Sequence, residues 1–323
     1  MFSKINKINS FLDILVNRGF LILIKSIVNL IHLNIIKRIL KKKLIIKRVN
    51  EYKMYLLTND NGISRSLILF GRREEDQKYI LSEVIEENMN IFDIGANIGY
   101  YSVFFSKRIK SGKILAIEPS SNNIALCREN ISLNKIDKRN IFFLEGGVSD
   151  TNTTRDFYLS TQSNLHTLNP NGSARKFLKG EKVKIKTFSV KRLSEDFFVP
   201  DLIRMDVEGH ECEIISGMIM SIKKRIFKPH ICFEPHIDSY SENNNFANTL
   251  KKLSNIGYFT KLISSNAESG TKRIIKITNK EPELSLQSDG EIRSIFRNIK
   301  MDDTINILTK TGGARTVLLS PKN

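Results

Sequence analysis

Two acidic residues close successive apolar runs of the chain, at positions where they could bind a small ligand. Asp93 ends one run and precedes a turn with glycines at 95 and 99, and Glu118 ends the next run. This D-x-G-x-x-x-G spacing differs from the G-x-G-x-x-G that cradles a pyrophosphate at a helix N-terminus. An acid before such a turn repels a diphosphate but suits a sulfonium or an amino group, and an acid after the second strand is where a ribose diol is held. Together the two acids predict a site for S-adenosylmethionine.

A second group of ionisable residues is typical of proton transfer. Asp206, Glu208 and His210 lie within five residues of one another, and Glu234 and His236 end a later apolar run. Methyl transfer from a sulfonium to a hydroxyl is an in-line displacement, which depends on positioning and needs a base or a metal to remove the hydroxyl proton. We take these five residues as the catalytic candidates.

Each of these candidates has open alternatives. Asp206 is the strongest one on the acceptor side, as a base or as an oxygen ligand of a divalent ion. Glu208 could instead complement the dipole of the following helix, and His210 could be a surface histidine instead of the base. If a metal is present, its expected ligands are Asp206, Glu234 and His236, although the same groups could polarise a hydroxyl directly.

The alternation of apolar and polar stretches predicts the elements that position these residues. Short apolar runs predict strands at residues 90–94, 113–118, 140–146, 202–206 and 230–234, with helices between them. Because ligands of open α/β sheets bind at the carboxyl ends of the strands, both groups of acids are expected at that edge. The fold class is therefore α/β, with a sheet that is mostly parallel and helices on both faces.

The remaining stretches are less regular. Strands are expected at 53–57 and 66–70 around a polar turn, and a helix at 74–88. A turn-rich segment at about 161–181, between strands expected at 154–160 and 182–190, favours a lid over the acceptor pocket. Between 265 and 310 the pattern indicates only a helix at 288–299, and a last strand is expected at 315–319.

The basic charge is concentrated at the N-terminus. The net charge is +17, and residues 1–50 hold eleven Lys or Arg and one acid, so the rest of the chain carries only +7. This distribution argues against nucleic acid as a partner of the main domain. Residues 1–48 are predicted to be a basic amphipathic helical segment, and residues 49–323 a separate domain. The uncharged window of the N-terminal segment, between Lys25 and Lys37, is shorter than the roughly 20 apolar residues of a membrane span.

Two interpretations of this N-terminal segment stay open. It is either a helical cap on the sheet, or a peripheral membrane contact formed by residues 11–47 with anionic lipid. The three cysteines, at 127, 212 and 232, have no ligand-like spacing and are too few for a disulfide framework. A reducing compartment, the cytoplasm, is therefore expected.

Four stretches, in order, resemble the FkbM-type S-adenosylmethionine-dependent methyltransferases: "NIFDIGANIGYYSVFFSK", "ILAIEPSSNNIALCRENISLNKI", "LIRMDVEGHECEIISGM" and "ICFEPH". The likeness covers roughly residues 50–260, and the "DVEGHE" segment is its most specific part. It implies a class I methyltransferase (Rossmann-like) fold with an antiparallel last strand. It also implies O-methylation of a sugar or another small hydroxylated acceptor. Lys191 stands where the family usually has an acid, which puts any role of that acid in doubt.

The resemblance also assigns residues to the cofactor. The S-adenosylmethionine site is expected to comprise Asp93, Gly95, Ala96, Asn97, Gly99, Tyr100, Glu118, Pro119, Gly147, Val148 and Asp206. Gly147 and Val148 would form the wall beside the adenine, with Glu145, Ser149 and Asp150 as alternatives for reading its amino group. His166, in the polar loop, is a weaker candidate for the acceptor side.

The resulting expectation is an O-methyltransferase that acts on a hydroxyl of a sugar, glycan or glycolipid. The alternatives are a scaffold that binds S-adenosylmethionine without catalysis, or a methyltransferase of RNA or protein. The sequence shows no N/D-P-P-Y/F element after the fourth strand, which disfavours methylation of amino groups or bases. It identifies neither the acceptor nor the need for a metal.

Overall fold

The computed structural model describes residues 14–322 apart from 17, 137 and 241–244. The strands are β1 Leu44–Val49, β2 Tyr52–Leu57, β3 Ile91–Ile94, β4 Ile114–Glu118, β5 Ile141–Glu145, β6 Gly147–Ser149, β7 Thr153–Ser160, β8 Leu178–Ser189, β9 Leu202–Met205, β10 His230–Phe233, β11 Tyr258–Ser265, β12 Leu284–Ser288, β13 Glu291–Ile299 and β14 Ala314–Pro321. The α-helices are α1 Phe20–Arg38, α2 Ile63–Phe70, α3 Glu75–Ser82, α4 Tyr100–Ser106, α5 Ser121–Leu133, α6 Val190–Asp196, α7 Glu211–Lys223, α8 Phe246–Asn255, α9 Glu268–Thr278 and α10 Met301–Asn306.

The central sheet has the strand order β12-β13-β11-β14-β10-β9-β3-β4-β5. From β10 to β5 the neighbouring strands run parallel. The last strand, β14, is inserted antiparallel between β10 and β11. The seven strands β11-β14-β10-β9-β3-β4-β5, of which β14 alone is reversed, have the order that defines the class I methyltransferase fold, so the expected fold class and its antiparallel last strand are confirmed. β13, which is antiparallel to β11, extends this sheet together with β12.

Two hydrophobic layers cover the two faces of this sheet. Phe92 and Ile203 belong to one buried cluster, whereas their neighbours Ile91 and Leu202 belong to the other. β3, β4 and β9 are buried along their whole length. Burial on both faces is typical of central parallel strands, and it explains why they appear in the sequence as continuous apolar runs.

The strand expected at residues 66–70 is wrong, because this stretch belongs to α2. The carboxylate of Asp60 accepts hydrogen bonds from the backbone amides of Gly62 and Ser64, at 3.0 and 2.9 Å, and so caps the start of the helix. Ile63 and Leu67, four residues apart, are both buried. Gly71 ends the helix in a left-handed conformation with φ 73°. The helix expected at 74–88 is shorter than predicted and spans only α3.

The helix expected at residues 288–299 is also wrong. β12 and β13 form an antiparallel hairpin in which Ser288 pairs with Glu291, so its turn is Asp289-Gly290. Both turn residues have positive φ, 55° and 93°. Asp-Gly is a strong signal for a two-residue hairpin turn. The helix α9, at residues 268–278, was not predicted.

The N-terminal segment is only partly helical. α1 is a helix, but residues 44–48 form most of β1, which pairs with β2 through a two-residue turn at Asn50 and Glu51. The prediction of helix through residue 48 is therefore wrong at its end, and residues 1–13 lie outside the described part of the chain. By length and composition alone α1 is apolar enough to cross a membrane, a weak indication that core helices and signal sequences also give.

Of the segment at 161–181, residues 161–177 lie between β7 and β8, which form a small second sheet with β6. Residues 178–181 already belong to β8, which begins earlier than the strand expected at 182–190. Residues 163–168 extend over the carboxyl edge of the central sheet. The backbone oxygen of Ser163 accepts hydrogen bonds from the side-chain amides of Asn97 and Asn123, at 3.3 and 3.2 Å. Thr167 Oγ1 donates to the backbone oxygen of Glu208 at 3.0 Å. The segment is thus bonded to the residues that follow β3, β4 and β9.

Candidate active site

A cavity of about 350 Å³ opens at the carboxyl edge of β3, β4, β9 and β10. Its volume lies within the range of about 300–1,000 Å³ that is typical of small-molecule sites. Most residues expected from the sequence line it: Gly95, Ala96, Asn97, Tyr100, Glu118, Pro119, Gly147, Val148, His166, Asp206, Glu208, Glu234 and His236. Asp93, Gly99 and His210 do not.

The turn after β3 needs its two glycines for different reasons. Gly95 has φ 74°, and a Cβ at this position would lie 2.1 Å from the backbone oxygen of Asp206. Gly99 has φ 85° and caps α4, and a Cβ there would lie 2.7 Å from Cys127 Sγ. The first glycine therefore allows the turn to contact the end of β9, and the second allows α4 to pack against α5.

Asp93 lies beneath the cavity instead of on its wall. Its side chain is fully buried, and its carboxylate accepts a hydrogen bond from Ser102 Oγ at 2.6 Å. Arg204 Nη1 lies 3.4 Å from the other carboxylate oxygen. Burial raises the pKa of Asp93, and the guanidinium of Arg204 opposes that rise. In this structure, Asp93 therefore supports the glycine turn instead of reaching into the cavity.

Arg204 lies between Asp93 and Asp206 and was not among the residues predicted from the sequence. It is 4% exposed, and its guanidinium contacts Asp93, the backbone oxygen of Gly95 at 3.3 Å, and Asp206 Oδ2 at 3.2 Å. It also stacks on the ring of Tyr101, 4.2 Å from the centroid. The one feature of the sequence that points to Arg204 is a cation inside the otherwise apolar run LIRM. Such a residue is almost never fully buried unless it is paired.

Glu118 presents a buried carboxylate to the cavity. One oxygen accepts from the backbone amide of Asn97 at 3.0 Å. The other accepts from the backbone amide of Ser120 at 3.0 Å and from the side-chain amide of Asn123 at 3.3 Å. Burial raises the pKa of Glu118 to about 7, although these hydrogen bonds favour the charged form. A carboxylate with a pKa this high is typical of a functional site.

At the opposite end of the cavity, His236 lies between two carboxylates. Its Nδ1 is 2.8 Å from Glu211 Oε1, and its Nε2 is 3.3 Å from Glu208 Oε2. Burial alone would lower the pKa of His236, but Glu211 and Glu208 together hold it well above its usual value. Glu211 is fully buried and also accepts from Tyr240 Oη at 3.2 Å. The two carboxylates therefore favour the protonated imidazole and fix its orientation.

The group expected to bind a metal differs in one member. Glu234 forms an ion pair with Arg315 from β14, and Arg315 also lies 3.4 Å from Glu74. Among the described residues, the side chains with ligand atoms within 4.8 Å of one another are Asp206, Glu208 and His236. If the site holds a metal, Glu208 thus takes the place expected for Glu234. Glu208 adopts φ 51°, which is uncommon for a residue other than glycine.

His210 is separated from the cavity. It is 4% exposed, and its Nε2 lies 2.9 Å from Ser149 Oγ. Burial lowers the pKa of His210 to about 4, helped by the nearby Arg155, so the ring is neutral. Ser149 and Asp150 share this pocket behind the sheet edge, and Ser149 Oγ donates to Asp150 Oδ1 at 2.9 Å. None of the three lines the cavity.

The strand order and a cavity at the carboxyl edge of β3 and β4 define the class I methyltransferases. The model of the "Methyltransferase FkbM domain" family matches residues 93–260, which is over half of the chain. The chain therefore belongs to the FkbM methyltransferase family.

A similar protein is the hexuronic acid methyltransferase AglP of Haloferax volcanii, 28% identical over 171 residues. The match covers 51% of this chain and 65% of AglP, so the chain spans less than two thirds of that relative.

Two solved structures are also similar. A methyltransferase FkbM from Methylobacillus flagellatus is 15% identical, with a TM-score of 0.37 and 59% and 47% of the two chains covered. A putative methyltransferase from Streptococcus mutans is 8% identical, with a TM-score of 0.45 and coverages of 86% and 56%. Because both scores are below 0.5, we base the fold assignment on the strand order of this chain.

Proposed function

We propose that this protein is an S-adenosylmethionine-dependent O-methyltransferase that methylates a hydroxyl of a sugar, glycan or glycolipid. The observation that carries the proposal is the pairing, in one cavity, of a buried diol-binding carboxylate with a carboxylate–histidine group. Glu118 is at one end, and Asp206, Glu208 and His236 are at the other. The family membership and the name of the Haloferax relative support a methyltransferase with a sugar acceptor.

The cavity has unused hydrogen-bonding groups that suit a polar ligand. Tyr101, Ser163 and Asn164 line it, and their Oη, Oγ and Oδ1 atoms are buried and have no hydrogen-bond partner within the part of the chain that is described. Buried polar atoms without partners cost free energy, so a ligand that supplies the missing bonds is stabilised there. S-adenosylmethionine, with its ribose hydroxyls, amino group and carboxylate, fits this set of groups.

Each part of the cavity then has a role toward the cofactor. Glu118 accepts the hydrogen bonds of the ribose diol, and the backbone of the Gly95–Asn97 turn contacts the amino-acid end. Gly147 and Val148 form the wall beside the adenine. The carboxylate of Asp206, oriented by Arg204, stabilises positive charge at the centre of the cavity. When bound, S-adenosylmethionine supplies a methyl group on its sulfonium sulfur.

We propose that Glu208 is the base that takes the proton of the acceptor hydroxyl. His236 is protonated and donates toward both Glu208 and Glu211, so it cannot itself accept a proton. Burial raises the pKa of Glu208, which makes its carboxylate a better proton acceptor, and His236 opposes part of that rise. As the new O–CH₃ bond forms and the S–CH₃ bond breaks, the hydroxyl proton passes to Glu208. A positioned base of this kind contributes about 100- to 10,000-fold to the rate.

Asp206, Glu208 and His236 are also a suitable donor set for a divalent cation. In such a site His236 would lose its Nε2 proton, while Glu211 would keep its hydrogen bond to Nδ1 and orient the ring. We favour direct proton transfer because both ring nitrogens of His236 already face carboxylates. A chelator distinguishes the two: activity that survives chelation supports Glu208 as the base, and activity restored only by added Mg²⁺ or Mn²⁺ supports the metal.

The activity is tested with methyl-labelled S-adenosylmethionine and four acceptors: a glucuronide, a neutral glucoside, total RNA and bulk protein. We expect label on a sugar acceptor that survives mild alkali, because a methyl ether is stable where a methyl ester releases methanol. Alkali-labile label would contradict transfer to a hydroxyl. Label on RNA or protein alone would favour those substrates. Cofactor binding without transfer to any class would favour the non-catalytic scaffold.

We further infer that α1 contacts a membrane surface. Its residues Leu21, Val28 and Ile31 are 81%, 59% and 56% exposed and lie on one face, and the basic stretch 37–43 follows. Apolar faces flanked by cations bind anionic interfaces. Flotation with anionic vesicles should be lost in Val28→Asp/Ile31→Asp. It should be kept in Val199→Asp/Met220→Asp, which places two acids on exposed apolar sites elsewhere. Equal flotation of both variants would contradict the inference.

A further inference from the structure

A second cavity, of about 570 Å³, lies between α1, the β1–β2 hairpin and the loop after α2. We call it the cationic groove, because six cations line it: Arg18, Lys25, Lys47, Arg48, Arg72 and Arg73. Its two acids are already engaged, Glu75 with Lys78 at 2.5 Å and Asp289 with Arg293 at 3.5 Å. The groove therefore carries a large excess of positive charge.

Several of these cations lack a partner. Within the described ranges, Lys25, Arg48 and Arg72 form no ion pair with a carboxylate, and all three are exposed. Burial lowers the pKa of Lys47, and the ammonium of Lys25 lowers it further. Like charges held this close together repel one another, and a bound anion would remove that repulsion.

The groove adjoins the catalytic cavity. Arg73 lines both of them, with its Nε 2.6 Å from Glu74 Oε1. The hydroxyl of Tyr100, a residue that lines the catalytic cavity, donates to the backbone oxygen of Arg73 at 2.5 Å. The groove and the catalytic cavity are therefore adjacent at Arg73.

We propose that the cationic groove binds a phosphate or diphosphate group carried by the acceptor, which makes the substrate a phosphate-linked sugar. This rests on the proposed function, because it names the class of acceptor for the same site. The planar guanidinium groups of Arg48 and Arg72 suit bidentate contacts with phosphate oxygens. In the catalytic cavity, the glycine turn contacts Asp206 and lies above Asp93, and these two acids would repel a diphosphate. A diphosphate is therefore better placed in the groove.

The phosphate can belong to a soluble sugar phosphate or to a lipid-linked sugar. Lys25 lines the groove from α1, and the exposed Leu21, Val28 and Ile31 lie on the neighbouring face of the same helix. If that face contacts a membrane, the groove lies at the level of the lipid headgroups. Both sources present the same chemistry to the groove.

Calorimetry with inorganic pyrophosphate tests the site on the full chain. Arg48→Ala/Arg72→Ala should weaken its binding about tenfold or more, since charge-assisted hydrogen bonds are lost. The control Lys251→Ala/Lys252→Ala removes the same charge from exposed positions on α8 and should leave pyrophosphate binding unchanged. Equal weakening in both variants, or no pyrophosphate binding by the wild type, would overturn the proposal.

Two further measurements complete the experiment. S-adenosylhomocysteine should bind both double variants as it binds the wild type; its failure to bind the wild type would count against the proposed function, not against the groove. Flotation with phosphatidylcholine vesicles, with and without phosphatidic acid, distinguishes the sources. Binding that needs phosphatidic acid and is lost in Arg48→Ala/Arg72→Ala supports a lipid-linked phosphate. Pyrophosphate binding without vesicle binding supports a soluble one.

Discussion

The two ends of the catalytic cavity are held together in different ways. At the proposed cofactor end, Glu118 is fixed mainly by backbone amides of its own loop and of the glycine turn. At the proposed acceptor end, His236 is fixed by Glu208 and Glu211, from the loop after β9 and the first turn of α7. Backbone geometry thus defines the first end and an ion-pair network the second. This difference predicts that substitutions at the two ends fail in different ways.

The largest effect is expected at Gly95, because its backbone conformation and its contact with Asp206 leave no room for a side chain. In Gly95→Ala the new Cβ would clash with the backbone oxygen of Asp206, and φ is also strained. We expect S-adenosylhomocysteine binding to be lost, measured by calorimetry. The matched control is Gly257→Ala, which has φ 92° but no atom of the described residues within 4 Å of the new Cβ. It should lose about 1–3 kcal/mol of stability from strain and keep its binding. Loss of binding in both variants would assign the effect to strain alone.

The acceptor end is predicted to fail in catalysis instead of in binding. Glu208→Gln keeps the shape of the side chain but removes the proton acceptor, so kcat should fall about 100- to 10,000-fold. Affinity for S-adenosylhomocysteine should not change. Glu129→Gln, on the exposed side of α5, controls for the loss of one carboxylate and should keep full activity. A variant Glu208→Gln with wild-type kcat would remove Glu208 from the mechanism.

Arg204 belongs to both ends, and its replacement should damage the fold itself. Arg204→Met leaves the fully buried Asp93 without its cation. Breaking a buried ion pair in this way costs about 3–5 kcal/mol. The free energy of unfolding in urea should show this loss, and Asp93→Asn/Arg204→Met should recover part of it.

The control for this loss is a surface ion pair. Arg297→Met breaks half-exposed pairs with Glu83 and Glu283, and should cost about 0–1 kcal/mol. Similar losses for Arg204→Met and Arg297→Met would mean that the buried network does not hold the two ends together.

The smallest expected effect is a pH dependence at the cofactor end. The pKa of Glu118 is raised from 4.5 to about 7, and the proposed ribose contact requires the ionised form. Affinity for S-adenosylhomocysteine should therefore rise about tenfold between pH 6 and pH 8.

Stability should change in the opposite direction. A raised pKa means that the ligand-free fold gains stability from protonated Glu118 below pH 4.5 and loses it as the pH rises through about 7. Thermal melts of the free protein should show this decline, and Glu118→Gln should lack both trends. An affinity that is flat with pH in the wild type would mean that Glu118 does not contact the ligand.

The sequence predicted which residues line the cavity around Glu118, because the determinants of this part are local. The glycine turn, Glu118 and the parallel strands around them follow from spacing and apolar runs within about 30 residues. Even here Asp93 was expected to contact the ligand, and the structure places it below the turn with Arg204. The partner of a buried acid lies on another strand, and no local pattern indicates it.

Around His236, the sequence predicted residues that line the cavity but not their ion-pair partners. The ion pair of Glu234 with Arg315 joins the loop after β10 to β14, and that of His236 with Glu211 joins the same loop to α7. Such contacts depend on the strand order, which single-sequence patterns do not fix. His210 was similar in sequence context to His236, but the turn directs it behind the sheet to Ser149. The hairpin at Asp289-Gly290, in contrast, has a local signal in its Asp-Gly pair.

The most direct test of these roles is calorimetric binding of S-adenosylhomocysteine to the wild type, Glu118→Ala and Glu208→Gln. We predict that Glu118→Ala loses about 1.5–3 kcal/mol of binding free energy, or about 10- to 150-fold in affinity. Glu208→Gln should bind like the wild type. Equal weakening in both variants would contradict the division of the cavity into a cofactor end and an acceptor end. No binding to the wild type would contradict the methyltransferase function itself.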